Sequence, residues 1–213
     1  PRRGPGGRGR RSRGGLMSRS RAVVATRNEH KLRELREILG SLELVGLPDD
    51  VELPPENGET FAENALGKAR AARAATGLAA LADDSGIEAR ALGGRPGVRS
   101  ARYAGPEASD EENLSLLLRE LDGADDRGVA YVCALAYIGD DGAEQVVEGR
   151  CDGELALEPR GSGGFGYDPA FVPLDTGPDD RRTMAELTPR DKHAISHRGR
   201  AARRLADLLG AQP

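Results

Sequence analysis

Tryptophan is absent from this 213-residue chain, and three Phe and four Tyr are all the aromatic side chains it has. A core so poor in rings must be built from aliphatic residues, so any aromatic pair in a polar loop asks for another explanation. Cysteine is nearly absent too. Cys133 and Cys151 form no CxxC pair, and Cys133 lies in the apolar run "VAYVCALAYI", which excludes a disulfide framework and predicts buried, reduced thiols. No stretch approaches the roughly 18 consecutive apolar residues of a membrane helix, and the first residues lack the apolar region of a secretory signal. The expectation is a soluble, intracellular protein with no membrane partner.

Acidic residues are missing from positions 1–21, which hold eight of the 31 basic residues; the rest of the chain carries 23 basic residues against 35 acidic ones. "PRRGPGGRGRRSRGG" cannot bury apolar surface and is predicted to be a disordered Arg/Gly-rich extension over residues 1–16. Such an arm could hold nucleic acid through phosphate contacts. An acidic body offers no continuation of that surface, so no nucleic-acid partner is expected, and Met17 reads as the natural start of a single domain over residues 17–213.

Beyond the arm, strand and helix patterns alternate. "RAVVAT" reads as a strand, and "EHKLRELREILG" as a helix with Leu32, Leu35, Ile38 and Leu39 on one face and Gly40 as its stop. "TFAENALGKARAARAATG" reads as an Ala-rich helix ended by Gly77, and "SDEENLSLLLREL" as a helix capped by Ser109 or Asp110. Strands are predicted around "GVAYVCALAYIG" and "EQVVEGRCDGELAL", and one C-terminal helix over "AISHRGRAARRLADLLG". "GLAALA", residues 77–82, reads as a buried strand with Asp83 and Asp84 at its C-terminal end, where open α/β sheets place ligands. Neither aspartate has a basic neighbour in sequence, so the pair either forms an Asp-Ser-Gly turn or awaits a cation.

Four polar clusters interrupt the scaffold. "ATRNEHK" puts Thr26, Asn28 and Lys31 at a strand-to-helix turn, fit either for a phosphate or simply for capping. In "PPENGETFAEN", Glu59 suits a helix dipole, whereas Glu56 precedes the helix and could meet the Asp pair as a hard oxygen ligand for Mg²⁺. "GSGGFGYDPAF" holds Gly161, Gly163 and Gly166 in a G-x-G-x-x-G spacing, but Pro169 and Pro173 favour an extended exit where a dinucleotide site needs a helix. The loop better suits Phe165 or Tyr167 laid over a flat ring, with Asp168 accepting hydrogen bonds. In "DKHAISHRGRAARR", His193 and His197 have i, i+4 spacing, but Ala194 replaces the Glu of H-E-x-x-H, so Lys192, His197 and Arg198 read instead as a group for a phosphate or base edge.

From about Ala22 to Leu209 these clusters, with "ALGGRPGVRSARYAG" and "AELTPRDKHAISHRGRA", closely resemble the inosine triphosphate pyrophosphatase family. The resemblance implies an α/β fold: a long mixed β-sheet flanked by helices, in two lobes around a central nucleotide-binding cleft. It implies hydrolysis of non-standard purine nucleoside triphosphates (inosine, deoxyinosine or xanthosine triphosphate) to monophosphate and pyrophosphate by a cytoplasmic homodimer. By the same resemblance Thr26, Arg27, Asn28, Glu29, His30 and Lys31 hold the triphosphate. Glu56 and Asp84 bind Mg²⁺, Asp84 accepts the proton of the attacking water, and Asp83 supports the metal site. Ser85 touches substrate, Phe165, Gly166, Tyr167 and Asp168 enclose the base or sugar, and Lys192, His197 and Arg198 complete the purine pocket. His193 departs from the family pattern, which puts only a flanking contact in question.

Overall fold

A computed structural model describes residues 21–210; the Arg/Gly-rich extension read from the sequence lies outside the described residues, as do residues 211–213. One six-stranded sheet runs in the order β2-β1-β3-β4-β5-β6. Its strands are β1 (Arg21–Val24), β2 (Glu43–Gly46), β3 (Ala79–Ala89), β4 (Gly128–Ile138), β5 (Glu144–Leu155) and β6 (Phe171–Pro173). β1 is parallel to β2 and β3, and every pairing from β3 to β6 is antiparallel, so the sheet is mixed as expected. The helices are α1 (Glu29–Ile38), α2 (Phe61–Thr76), α3 (Asp110–Glu120), α4 (Pro189–Ile195) and α5 (His197–Leu208). None of the described helices is long and apolar enough to cross a membrane.

The period of two along β3 and β4 sorts the core. Leu81, Cys133 and Leu135 point to the face covered by α1 and α5, where they meet Leu32, Leu35, Leu39 and Leu205. Ala80, Ala82, Ala134 and Ala136 point to the other face and meet Ala65, Ala69 and Ala72 of α2; alanine on both sides lets helix and sheet approach closely. A separate core lies toward the far end of the long strands, where Ile87, Tyr131, Leu117 of α3, Tyr167 and Phe171 pack together. These two ends are the physical content of the expected two lobes.

Three local expectations are corrected. β3 does not end at Ala82 but runs through "DDSGIEA", because Asp83 to Ala89 stay paired with β4 from Leu135 to Val129. Only β1 stops: it pairs as far as Leu81, so the aspartates emerge just where the parallel half of the sheet ends. α1 ends on Leu39, whose N–H bonds Leu35 and whose side chain is buried, while Gly40 keeps a negative φ; α2 does end on Gly77 in the left-handed conformation. The single C-terminal helix is broken at Ser196, which is extended and caps α5 through the Gly199 N–H. α3 starts as expected, with Ser109 and Glu112 forming a capping box.

Candidate active site

Adjacent positions on a strand face opposite ways, and this separates the two aspartates. Asp83 turns toward α1 and α5, where Lys31 Nζ stands 2.5 Å and Arg198 Nε 2.9 Å from its carboxylate. Ser85 Oγ and Cys133 Sγ also donate to it, each at 3.1 Å. Full burial alone would raise the Asp83 carboxyl, but Arg198 and Lys31 overrule it and hold the group well below the usual carboxylate range. Asp83 is a fixed anion. The sequence expectation that it supports one metal site together with Asp84 meets this geometry: the pair does not share a face.

Asp84 turns toward α2. Its Oδ1 accepts from Lys68 Nζ at 3.0 Å and its Oδ2 from Asn64 Nδ2 at 3.0 Å. Lys68 also donates to Glu56 Oε1 at 2.6 Å and to the Asp83 carbonyl at 2.7 Å. Glu56 and Asp84 are therefore brought together, bridged by one ammonium. Burial raises the Asp84 pKa above the ordinary value, with the Glu56 charge adding to the rise against the pull of Lys68. Glu56 is also pushed up by burial, but Lys68 prevails and its pKa is lowered. Of the two carboxylates Asp84 is thus the more basic, the property a general base needs.

A divalent ion fits this donor set. Two hard carboxylates already hold a cation between them, and Mg²⁺ needs few protein ligands because it keeps several waters and takes oxygens from substrate phosphates. Among the described residues no group of three or more His, Cys, Asp or Glu side chains is placed to hold a metal. His193 and His197 fall on different helices either side of Ser196, so the i, i+4 face they would need does not exist.

The turn from β1 to α1 supplies the second part. Asn28 caps α1, accepting from the N–H groups of His30 at 2.9 Å and Lys31 at 3.2 Å, and Thr26 Oγ1 accepts from Asn28 N–H. Asn28 and Lys31 line a pocket that continues to Ser85, Phe165, Tyr167, Asp168, His197 and Arg198. One member of the expected phosphate loop is engaged elsewhere. Arg27 donates to the carbonyls of Leu47, Pro48, Asp49 and Val51, strapping the following loop, and Glu29 is exposed on the first turn of the helix. His30 stacks on Phe165 with ring centroids 5.3 Å apart, joining this turn to the Gly-rich loop.

That loop exits into β6 and not into a helix, as its prolines required. Asp168 accepts from the Phe165 N–H at 3.0 Å, from Tyr131 at 3.1 Å and from Lys192 at 2.8 Å. Gly166 N–H donates to Asp110 at 2.7 Å, and the buried Tyr167 hydroxyl to the Ser100 carbonyl at 2.8 Å. Lys192 and Arg198 lie 5.1 and 5.7 Å from the Phe165 ring centre, near enough to polarise anything flat placed on it. His197 stacks on Tyr131 at 4.5 Å; burial, then the Arg198 charge, holds it far below the ordinary imidazole pKa, so it is neutral. Its Nδ1 is buried and has no hydrogen-bond partner among the described residues.

α5 can present His197 and Arg198 so close to the sheet because Gly149 of β5 has no side chain; a Cβ there would run into the His197 carbonyl and the Ala201 nitrogen. Sequence reading missed Glu34, which binds Lys192 at 2.8 Å and Arg198 at 2.6 Å and is lowered to about 2 by those cations against the effect of burial. It missed Lys68 and Asn64 as well. A signal for both existed: they are four apart on the same buried face as Ala65, Ala69 and Ala72.

An open mixed sheet with a bridged carboxylate pair where its parallel half ends, next to an aromatic-lined basic pocket, defines an α/β protein with a cleft for an anionic, ring-bearing ligand. The chain belongs to the Ham1 family, whose sequence model matches residues 22–208. It is 52% identical over 200 residues to a dITP/XTP pyrophosphatase of Frankia alni, covering 89% of this chain and 96% of that one. Identity to a protein of the same name from Mycobacterium tuberculosis is 51% over 201 residues, covering 90% and 95%. Among solved structures, a HAM1 protein from Coxiella burnetii superposes with TM-score 0.79 at 43% identity, covering 91% of this chain and all of that one. The dITP/XTP pyrophosphatase of Mycobacterium abscessus gives TM-score 0.68 at 48% identity, covering 89% and 98%.

Proposed function

We propose that this protein hydrolyses non-standard purine nucleoside triphosphates, those of inosine, deoxyinosine and xanthosine, to the nucleoside monophosphate and pyrophosphate. The observation that carries the reading is the nearness of a carboxylate pair to the mouth of a pocket, with the Lys31 charge acting on Glu56 and Asp84 and the Lys31 side chain lining the pocket. The bridged Glu56–Asp84 pair and the Asn28–Lys31 helix start stand where β1 stops, and the pocket beyond them is lined by Phe165, His197 and Arg198. The names and identities of the relatives support it independently.

In this mechanism the phosphates lie against the N-terminus of α1, whose dipole favours an anion, with Lys31 beside them. Glu56 and Asp84 would hold Mg²⁺, which when bound neutralises charge on the phosphate oxygens. Water attacks the α-phosphorus in line, its proton passes to Asp84, and the bond to the bridging oxygen breaks to release pyrophosphate. Lys68 keeps the cluster's charge balanced and Asn64 fixes the Asp84 carboxylate. The base stacks on Phe165. A 6-keto purine answers the donors on this wall, whereas the amino group of adenine would leave buried donors unpaired, at about 1–3 kcal/mol each.

The reading extends to a cytoplasmic homodimer, supported by family resemblance and tested by size-exclusion chromatography. The deciding experiment is pyrophosphate release across a nucleotide panel with and without Mg²⁺. Release from inosine and xanthosine triphosphates, little from ATP, and none in excess chelator is the expected result. Tight nucleotide binding without release under any metal would mark the chain as a non-catalytic binding protein.

A further inference from the structure

Arg102 ends the 3₁₀ turn Gly97–Arg102 and reaches the loop that carries Glu56. Its Nη2 donates to the Glu56 carbonyl at 2.7 Å, and its Nη1 stands 3.5 Å from Glu56 Oε2. Glu56 is its one carboxylate partner among the described residues. The other oxygen of the same carboxylate, Oε1, accepts from Lys68. Glu56 is therefore gripped by two cations with different reach: Lys68 bridges to Asp84, whereas Arg102 holds main chain and side chain of Glu56 together.

The loop requires such a grip. Residues 47–60 contain neither helix nor strand, so nothing in their own backbone pattern fixes a side chain. Arg27 straps the beginning through four carbonyls, and Asn64 and Glu63 hold the end by accepting from Gly58 and Glu59 N–H. Glu56 lies between these anchorages, at the point Arg102 holds. Arg102 is itself well placed: Ser100 Oγ accepts from Ile87 N–H at 2.9 Å and donates to the Gly97 carbonyl at 2.6 Å. This docking depends on Gly86, where a Cβ would collide with Ser100 Oγ and the Gly97 carbonyl. β3 thus positions Asp84 directly and, two residues later, Glu56 through the turn that ends in Arg102.

We propose that Arg102 is a positioning residue that sets the site's affinity for its divalent cation by holding Glu56. The proposal rests on the reading of Glu56 as a cation ligand. A cation held by Glu56 would compete with Lys68 for the carboxylate, whereas the Arg102 bond to the Glu56 carbonyl does not involve the carboxylate and would keep it from swinging out with its loop. Residues that orient a ligand from behind typically change metal affinity by about 10–100-fold. Lysine at this position would keep the charge but lose the planar, two-pronged geometry with which the guanidinium spans carbonyl and carboxylate.

The test uses the full chain. Mn²⁺ binding without nucleotide is measured by the paramagnetic resonance of the free ion, and half-saturating Mg²⁺ is measured in pyrophosphate release. Both are done for the wild type, Arg102→Ala, Arg102→Lys and Glu56→Gln. Arg102→Ala should weaken Mn²⁺ binding and raise half-saturating Mg²⁺ about tenfold or more, with kcat at saturating Mg²⁺ and KM for inosine triphosphate close to wild type. Arg102→Lys should recover part of the loss, and it carries the test should the Ala variant not fold. Unchanged Mn²⁺ affinity in both Arg102 variants, with Glu56→Gln impaired, would overturn the role of Arg102 alone. Unchanged affinity in Glu56→Gln would overturn the reading of Glu56 and this inference with it. A raised nucleotide KM with unaltered metal dependence would make Arg102 a substrate contact and end the proposal.

Discussion

Asp83 and Asp84 are neighbours in sequence and opposites in environment, so substituting them should fail in different ways. Asp84→Asn keeps the size and the Asn64 contact region but removes the base and the charge that Lys68 answers. The variant should fold, and its kcat should fall at least about a hundredfold, since a general base is worth about 10²–10⁴. Inosine triphosphate binding should survive better than turnover, because the Phe165 pocket and the α1 helix start remain. Retention of more than about a tenth of wild-type kcat by folded protein would contradict the assignment. Asp83→Asn should show first as lost stability in urea titration, since it leaves the buried Arg198 guanidinium with Glu34 as its remaining carboxylate partner. Glu34 gives the pH test of that same buried network. Its pKa is about 2 in the folded protein against an ordinary 4.5, so the unfolded chain takes up its proton first as pH falls. The stabilisation is complete above about pH 4.5 and disappears as pH falls toward 2, and at about 1.4 kcal/mol per pKa unit it is on the order of 3 kcal/mol. Wild type and Glu34→Gln should therefore differ by that order in denaturant titration at neutral pH and converge near pH 2; an equal gap at both would show that the charge is not the source.

At the scale of elements, the site depends on how closely α5 lies on the sheet. Gly149→Ala puts a methyl group into the backbone of α5 at His197 and Ala201, where no flexible side chain can move aside. Overpacking of this kind costs about 1–3 kcal/mol, and because His197 and Arg198 ride on the displaced turn, KM for the nucleotide should rise with it. A Gly149→Ala protein with wild-type melting temperature and KM would show that α5 does not need this contact. The same region shows what sequence could and could not reveal. The helix faces and two of the caps were legible, because Leu32, Leu35 and Leu39 keep helical spacing and Ser109 and Gly77 are chemically suited to their ends. The exit of the Gly-rich loop was legible from Pro169 and Pro173. The path of β3 through Asp83 and Asp84 was not, since charge in a strand is tolerated only when distant cations arrive, and Lys31, Lys68 and Arg198 come from three separate helices. Nor was the break at Ser196, which reads as an ordinary helical position until its hydroxyl is seen to cap α5. The contacts of Arg27 were hidden for a related reason: a basic residue in a phosphate-type turn looks like a ligand contact, and nothing in the sequence shows that its fork reaches four carbonyls of the next loop.

For the whole molecule the question is whether the Arg-rich first residues take part in the reaction. Positions 1–21 carry eight arginines and no acid, while the remaining chain has 35 acidic residues against 23 basic ones. A basic arm opposite an acidic body could in principle draw a polyphosphate inward, and that effect would be long-ranged and sensitive to salt. The site itself needs no such help. Every side chain assigned to it, from Thr26 onward, lies within the span matched to the Ham1 family, residues 22–208. Its cations are supplied locally by Lys31, Lys68, Lys192 and Arg198, each held by a carboxylate of the fold. Removal of residues 1–16 should accordingly leave kcat, KM for inosine triphosphate and melting temperature at wild-type values, and should leave the salt dependence of kcat/KM unaltered. The last comparison is the sensitive one, because electrostatic steering acts on association and weakens steeply with ionic strength. A truncated protein whose kcat/KM falls at low salt and matches the full chain at high salt would assign the arm a steering role; a fall in kcat at every salt concentration would place it in the active site.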